Sequence, residues 1–172
     1  MNFSEEQTIF TRVAFLILIL CCTTTLVLGR LVNAPSYKEM SEQADLIVIA
    51  TPTGNADVAG PTTLPNIISV DNTGHRHTIP ATRVDTTFYA VALLKGKLAD
   101  NSNSFKLLHL KLANPADAGG DSPPQLIDFN PTDRAQYLMF LKLRTDGSFE
   151  PFNGQTDPIY SIEKLSQLAR PE

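Results

Sequence analysis

Hydrophobic and polar positions divide this chain into one uninterrupted apolar block and a long tract in which apolar residues alternate with polar ones. The block is residues 13–29, VAFLILILCCTTTLVLG, which lie between Arg12 and Arg30 without a charge. Its length approaches the ~20 apolar residues of a spanning helix, so insertion into a membrane is expected, as a signal peptide or a single anchor. Thr23, Thr24 and Thr25 weaken its middle. Val32-Asn33-Ala34 offers small residues at alternate positions for cleavage, with Pro35 following the cut, and Val27-Leu28-Gly29 is a second possible site. Arg12 before the run and Arg30 and Lys38 after it nearly balance, which leaves orientation open. Leu20 is too bulky to make Cys21 a lipoprotein site. The expected organisation is therefore residues 1–34 as signal peptide or anchor and residues 35–172 as one domain.

In that second part Ser36 and Glu39 form a capping box, and Tyr37, Met40 and Ala44 share a face, predicting a short helix that ends near Ala44. Residues 45–51, DLIVIAT, predict a central strand. The prolines and glycines of residues 52–66 predict a loop, followed by a short strand at 67–70 and a turn at Asp71-Asn72-Thr73-Gly74. Residues 79–94 carry the clearest strand pattern, with Val84, Thr86, Phe88 and Ala90 on one face and Arg83, Asp85 and Thr87 on the other. The apolar residues then continue through Val91, Leu93 and Leu94, which predicts a bend or bulge before Lys95-Gly96. Residues 105–112 predict a strand with Leu108, Leu110 and Leu112 inward and His109 and Lys111 outward. Residues 113–125 predict a second long loop, 126–129 a short strand, and 137–143 a strand buried on both faces. Asp146-Gly147 then turns a hairpin. Ile162, Leu165 and Leu168 predict a final short helix that Pro171 ends. Five or six strands with a short helix at each end close most economically into a small antiparallel barrel, which leaves no edges to aggregate.

Charge and cysteine content narrow the chemistry. The net charge is −4, and residues 1–34 hold two acids (Glu5, Glu6) and two bases (Arg12, Arg30), so the domain keeps all of it. No basic cluster exists to displace counterions from a polyphosphate, which argues against nucleic acid as a partner and against anionic lipid beyond the N-terminal segment. Both cysteines, Cys21 and Cys22, lie in the apolar run, so residues 35–172 have no disulfide, thiolate nucleophile or cysteine-based zinc site.

The order of the capped helix, Ala44-Asp45-Leu46-Ile47-Val48-Ile49-Ala50, residues 86–96 (TTFYAVALLKG), Tyr137-Leu138-Met139-Phe140-Leu141 and Asp146-Gly147 resembles a group of uncharacterised exported bacterial proteins. Their domain is similar to the OB-type barrel of tissue inhibitors of metalloproteinases and netrin modules, and the resemblance covers most of residues 36–168. It implies the fold alone. Those inhibitors chelate the protease zinc through an N-terminal cysteine, and no cysteine follows Cys22 here.

His75, His77 and His109 are the available metal constellation, with His75 and His77 at i and i+2 and His109 from another strand, as in a three-histidine zinc site. Gly74 and Pro80 frame the first two as loop, Arg76 adds repulsion, and His109 shares its face with Lys111, so no metal or other cofactor is expected. Gln155 and Asp157 are candidate ligand contacts in a polar loop, although Asp157 before Pro158 is also how a helix or turn begins. Arg83 and Asp85 read as a solvated ion pair, Ser36 and Ser161 as caps, and Gly119-Gly120 lacks the helix that a phosphate loop needs. No catalytic motif is present. The expected protein is an exported or membrane-tethered, non-enzymatic binding or structural domain at the cell envelope, in contact with an envelope or extracellular protein. Loops 52–66 and 113–125 are its expected contact surface. The alternatives are a metal-dependent hydrolase using His75, His77 and His109, and a peptide or carbohydrate binder using exposed Tyr89 and Tyr160.

Overall fold

The computed structural model describes residues 34–70, 73–99, 102–118 and 123–165. The apolar run 13–29, Asp71-Asn72, Gly119-Gly120 and Leu168 lie outside the described residues.

Helix α1 (Tyr37–Gln43) starts where the capping box places it, with Ser36 Oγ accepting from the Glu39 backbone N–H at 3.2 Å. Its apolar face, Met40 and Ala44, packs on Ile47 and Phe140. Six strands follow: β1 (Leu46–Val70), β2 (Arg76–Lys95), β3 (Ser104–Leu112), β4 (Gln136–Leu143), β5 (Phe149–Pro151) and β6 (Ile162–Leu165). The order β1-β2-β3-β5-β4 closes on itself through a β1–β4 ladder, so five strands form a closed barrel and β6 extends the β4 edge. The barrel is mixed, whereas the sequence reading expects an antiparallel one. Leu107 of β3 and Phe149 of β5 pair in parallel. Parity requires this: directions cannot alternate all the way around a ring of five.

The barrel interior is filled by Leu46, Val48, Ala50, Phe88, Phe105, Leu107, Tyr137, Met139, Leu141 and Ile162, with Phe129 inserted between strands. Phe88 stacks on Phe105 at a centroid distance of 5.5 Å and meets Phe129 edge-on at 5.0 Å. These aromatic contacts add to the burial that drives the core together.

Four expectations are corrected. Residues 52–66 are not a loop but the middle of β1, which pairs with β2 along a long hairpin. The prolines and glycines mark bulges instead: the register shifts between Pro52 and Gly54, across Gly60-Pro61, and across Pro65-Asn66, where Asn66 has φ 60°. The far part of this hairpin folds onto the outside of β3, where Leu64, Ile79 and Ala81 bury Leu110. In β3 the facing is inverted, since Phe105, Leu107 and His109 share a face that points into the barrel while Leu110 belongs to the outer cluster. Both faces of β3 are covered, so alternation cannot tell inside from outside. Residues 126–129 form no strand. They run irregularly and drive Phe129 into the core. There is no helix at Ile162–Leu165: a 3-10 turn (Pro158–Tyr160) leads into β6, whose Ile162 pairs with Met139. The open edge of β4 has backbone groups to satisfy, and that requirement overrides an i, i+3 spacing shared by helix and irregular strand.

Candidate binding groove

Strand β2 runs further than its neighbour β3. The last β2–β3 pair is Tyr89 with Ser104, after which the Ala90 N–H donates to Asn103 O at 2.7 Å. From Val91 to Lys95 the strand pairs with β1 on one side, and among the described residues no strand pairs its other side. The sequence turns the chain away here. Gly96 adopts φ 87° directly against the Asp45 carbonyl, and a Cβ at this position would lie 2.2 Å from that oxygen. The return is set by Ser102, whose Oγ accepts from the Ser104 N–H at 2.9 Å and starts β3. Between departure and return lies an open groove of about 430 Å³, walled by Tyr89, Val91, Leu93, Leu98, Lys97 and Asn103 among others.

The groove mixes apolar side chains (Val91, Leu93, Leu98) with polar ones (Lys97, Ser102, Asn103) beside Tyr89. Tyr89, Val91, Leu93 and Leu94 are each between 47% and 58% exposed, a run of large apolar side chains left uncovered on one strand. Lys97 is the charged residue among its described walls. Lys95 does not guard the strand edge, because its Nζ donates to Ser41 O and Glu42 O, both at 2.8 Å, at the C-terminal end of α1. The described walls offer Lys97, Tyr89, Ser102 and Asn103 as hydrogen-bonding side chains.

The residues singled out from the sequence fall elsewhere. His77 pairs with Ser69 far out on the β1–β2 hairpin, and His75 stands at its tip with Nδ1 2.8 Å from Thr73 Oγ1. His109 lies opposite Val84, seven positions along β2 from His77, or ~23 Å at strand rise. The three histidines therefore form no site, and among the described residues no group of three or more His, Cys, Asp or Glu could hold a metal. His77 also belongs to strand rather than loop.

His109 is not outward beside Lys111 but 2% exposed, edge-on to Phe129 at 4.9 Å. Its Nε2 is 2.8 Å from Thr86 Oγ1, Thr86 donates to Asn55 Oδ1 at 2.8 Å, and Asn55 Nδ2 donates to Phe129 O at 2.8 Å. The Thr86 proton is thus committed to Asn55, so Nε2 carries the imidazole proton and donates to Thr86. Nδ1 is buried without a well-formed hydrogen bond, and the Leu110 backbone beside the ring favours its charged form. Burial pushes the His109 pKa down to about 4, with the Asp128 carboxylate opposing that shift.

Gln155 and Asp157 do come together, each bonded to the backbone of another segment. Gln155 Nε2 donates to Leu108 O at 3.0 Å, Asp157 Oδ1 accepts from the Gln125 N–H at 3.0 Å, and the Asp157 carbonyl accepts from Asn153 Nδ2. Thr156 Oγ1 reaches Pro65 O at 2.9 Å. The segment ties β1, β3 and the 123–130 stretch together, and the Asp157 side chain does not cap the turn that follows. Among the described residues no ion pair joins Arg83 to Asp85, and Arg83 Nε is buried without a partner. Tyr160 lines a smaller cavity of about 90 Å³ with Tyr37 and Phe140. Of the residues considered from sequence, only Tyr89 lies on the groove; the signal for the rest was the run Val91-Ala92-Leu93-Leu94 ahead of Lys95-Gly96.

No family model matches this chain, and no curated protein matches it.

Proposed function

We propose that residues 35–172 form a non-enzymatic binding domain at the cell envelope, held there or delivered there by the apolar run 13–29, and that the groove along Tyr89–Leu94 is its contact surface. The observation that carries this is the uncovered apolar stretch of β2 beside an open groove. Surface of that kind is costly to leave exposed unless something covers it. The barrel interior is filled by side chains, so the ligand meets a rim rather than an internal cavity.

A five-stranded Greek-key barrel with β5 inserted between β3 and β4 supports an OB-like fold, similar to the domain of tissue inhibitors of metalloproteinases and netrin modules. Domains of that architecture bind through a sheet face and its rim loops, and the groove lies at the end of such a face. Cysteine-based zinc chelation has no counterpart after Cys22.

The test presents peptide and glycan arrays to the full chain and to a Val91→Lys, Leu93→Lys double variant. Both positions are about half exposed, so the variant is expected to melt as the parent does. Array signal that disappears in the variant is the expected result. Equal signal from both proteins places the contact surface elsewhere.

A further inference from the structure

We infer that the groove receives an extended polypeptide segment, added as a strand on the open edge of β2, with alternate apolar side chains in the groove and an acidic group facing Lys97. This rests on the groove being the contact surface.

Three observations lead to it. The first is the backbone. Val91–Lys95 is hydrogen-bonded to β1 along one edge only, among the described residues, so its other N–H and C=O groups form a ready template for main-chain pairing. Main-chain pairing is what an extended peptide offers and what a sugar or a lipid chain does not.

The second observation is that this edge carries neither charge nor proline. Folded proteins blunt exposed edges with charge, proline, an inward-turned lysine or bulges. Val91-Ala92-Leu93-Leu94 has bulges, where its register against β1 shifts at Val91 and Leu94, but no charge or proline, and the nearest lysine, Lys95, is occupied at the end of α1. Elsewhere the same chain spends prolines freely on β1, at Pro52, Pro61 and Pro65. The stretch without charge or proline coincides with the groove.

The third is charge complementarity. Lys97 is the charge on the described walls, and Ser102 and Asn103 supply neutral polar groups beside it. An acidic side chain or a free terminal carboxylate in the segment would meet Lys97, while a basic segment would be repelled. A second copy of this chain is disfavoured. Antiparallel pairing of two copies centred on Leu93 sets Lys97 opposite the other copy's Tyr89, with no acid on the described walls to meet it.

The experiment uses the full chain in lipid nanodiscs and a displayed library of random ten-residue peptides, counter-selected on the Val91→Lys, Leu93→Lys variant. The best peptide is resynthesised with single N-methyl groups at successive residues, and its affinity is measured for the parent and for Lys97→Glu. Strand addition predicts an alternating pattern, with methylation weakening binding about tenfold or more at every second residue and hardly at all between. It also predicts an acidic residue in the peptide and weaker binding to Lys97→Glu. A peptide that binds with no alternation overturns strand addition but leaves the groove as contact surface. Failure to enrich any peptide over the variant, or self-association that the same variant abolishes, overturns the peptide ligand.

Discussion

Nε2 of His109 donates to Thr86 Oγ1 across 2.8 Å inside the barrel, and the ring that makes this contact is buried. The fold favours the uncharged ring, which is why its pKa is held down at about 4. For a histidine whose folded pKa lies below its unfolded value of about 6.5, the contribution to stability is complete above about pH 6.5. It declines as pH falls towards 4. Over that window the unfolding free energy should drop by roughly 3 kcal/mol, at up to ~1.4 kcal/mol per pH unit. Urea unfolding of the parent and of His109→Leu, measured between pH 7 and 4, should give a steeper fall for the parent. Parallel curves would mean that His109 is not the group responsible.

Thr86→Val keeps the side-chain shape and removes the hydroxyl that receives Nε2 and donates to Asn55. It strands a buried N–H and should cost about 1–3 kcal/mol at neutral pH. A loss no larger than that of an exposed threonine would show that the chain from His109 to Phe129 O contributes little.

Gly96 and Gly147 both have positive φ, at 87° and 82°, but in different surroundings. A methyl on Gly147 meets nothing within 4 Å, whereas one on Gly96 falls 2.2 Å from Asp45 O. Gly147→Ala should therefore cost about 1 kcal/mol for the backbone conformation alone. Gly96→Ala must also move β1 or the turn, so it should lower the melting temperature more and alter the groove beside it. Equal melting temperatures for the two variants would contradict this turn geometry.

Phe88 is fully buried between Phe105 and Phe129, and Thr87 beside it faces the other way. Phe88→Ala should cost about 3–5 kcal/mol and Thr87→Ala under about 1 kcal/mol. Denaturant midpoints of the two variants settle the facing of β2.

The facing of β2 was readable because that strand is buried on one side along Val84–Phe88, so its chemistry alternates. β3 was not readable, because the barrel covers one face and the folded-back hairpin covers the other, leaving Leu107, Leu108, His109 and Leu110 all buried. A histidine in such a run carries no mark of which side it takes. Pro52, Gly60, Pro61 and Pro65 carry loop character in the sequence, and their role as bulges depends on β2 being opposite them. β6 likewise exists because β4 needs a partner, which is a tertiary fact. Gln155 and Asp157 lie together, bonded to the backbone of neighbouring segments, and the groove's one legible trace is an apolar run that continues past the β2–β3 pairing.

The central claim is that the ligand contacts the open end of β2. Backbone amide shifts of the 15N-labelled full chain in nanodiscs, recorded while the selected peptide is added, test it most directly. The account predicts the largest shifts at Val91–Lys95 and Asn103, with the hairpin at 62–79 and the segment at 153–161 unmoved. Shifts centred on either of those segments, with Val91–Lys95 unchanged, would contradict it.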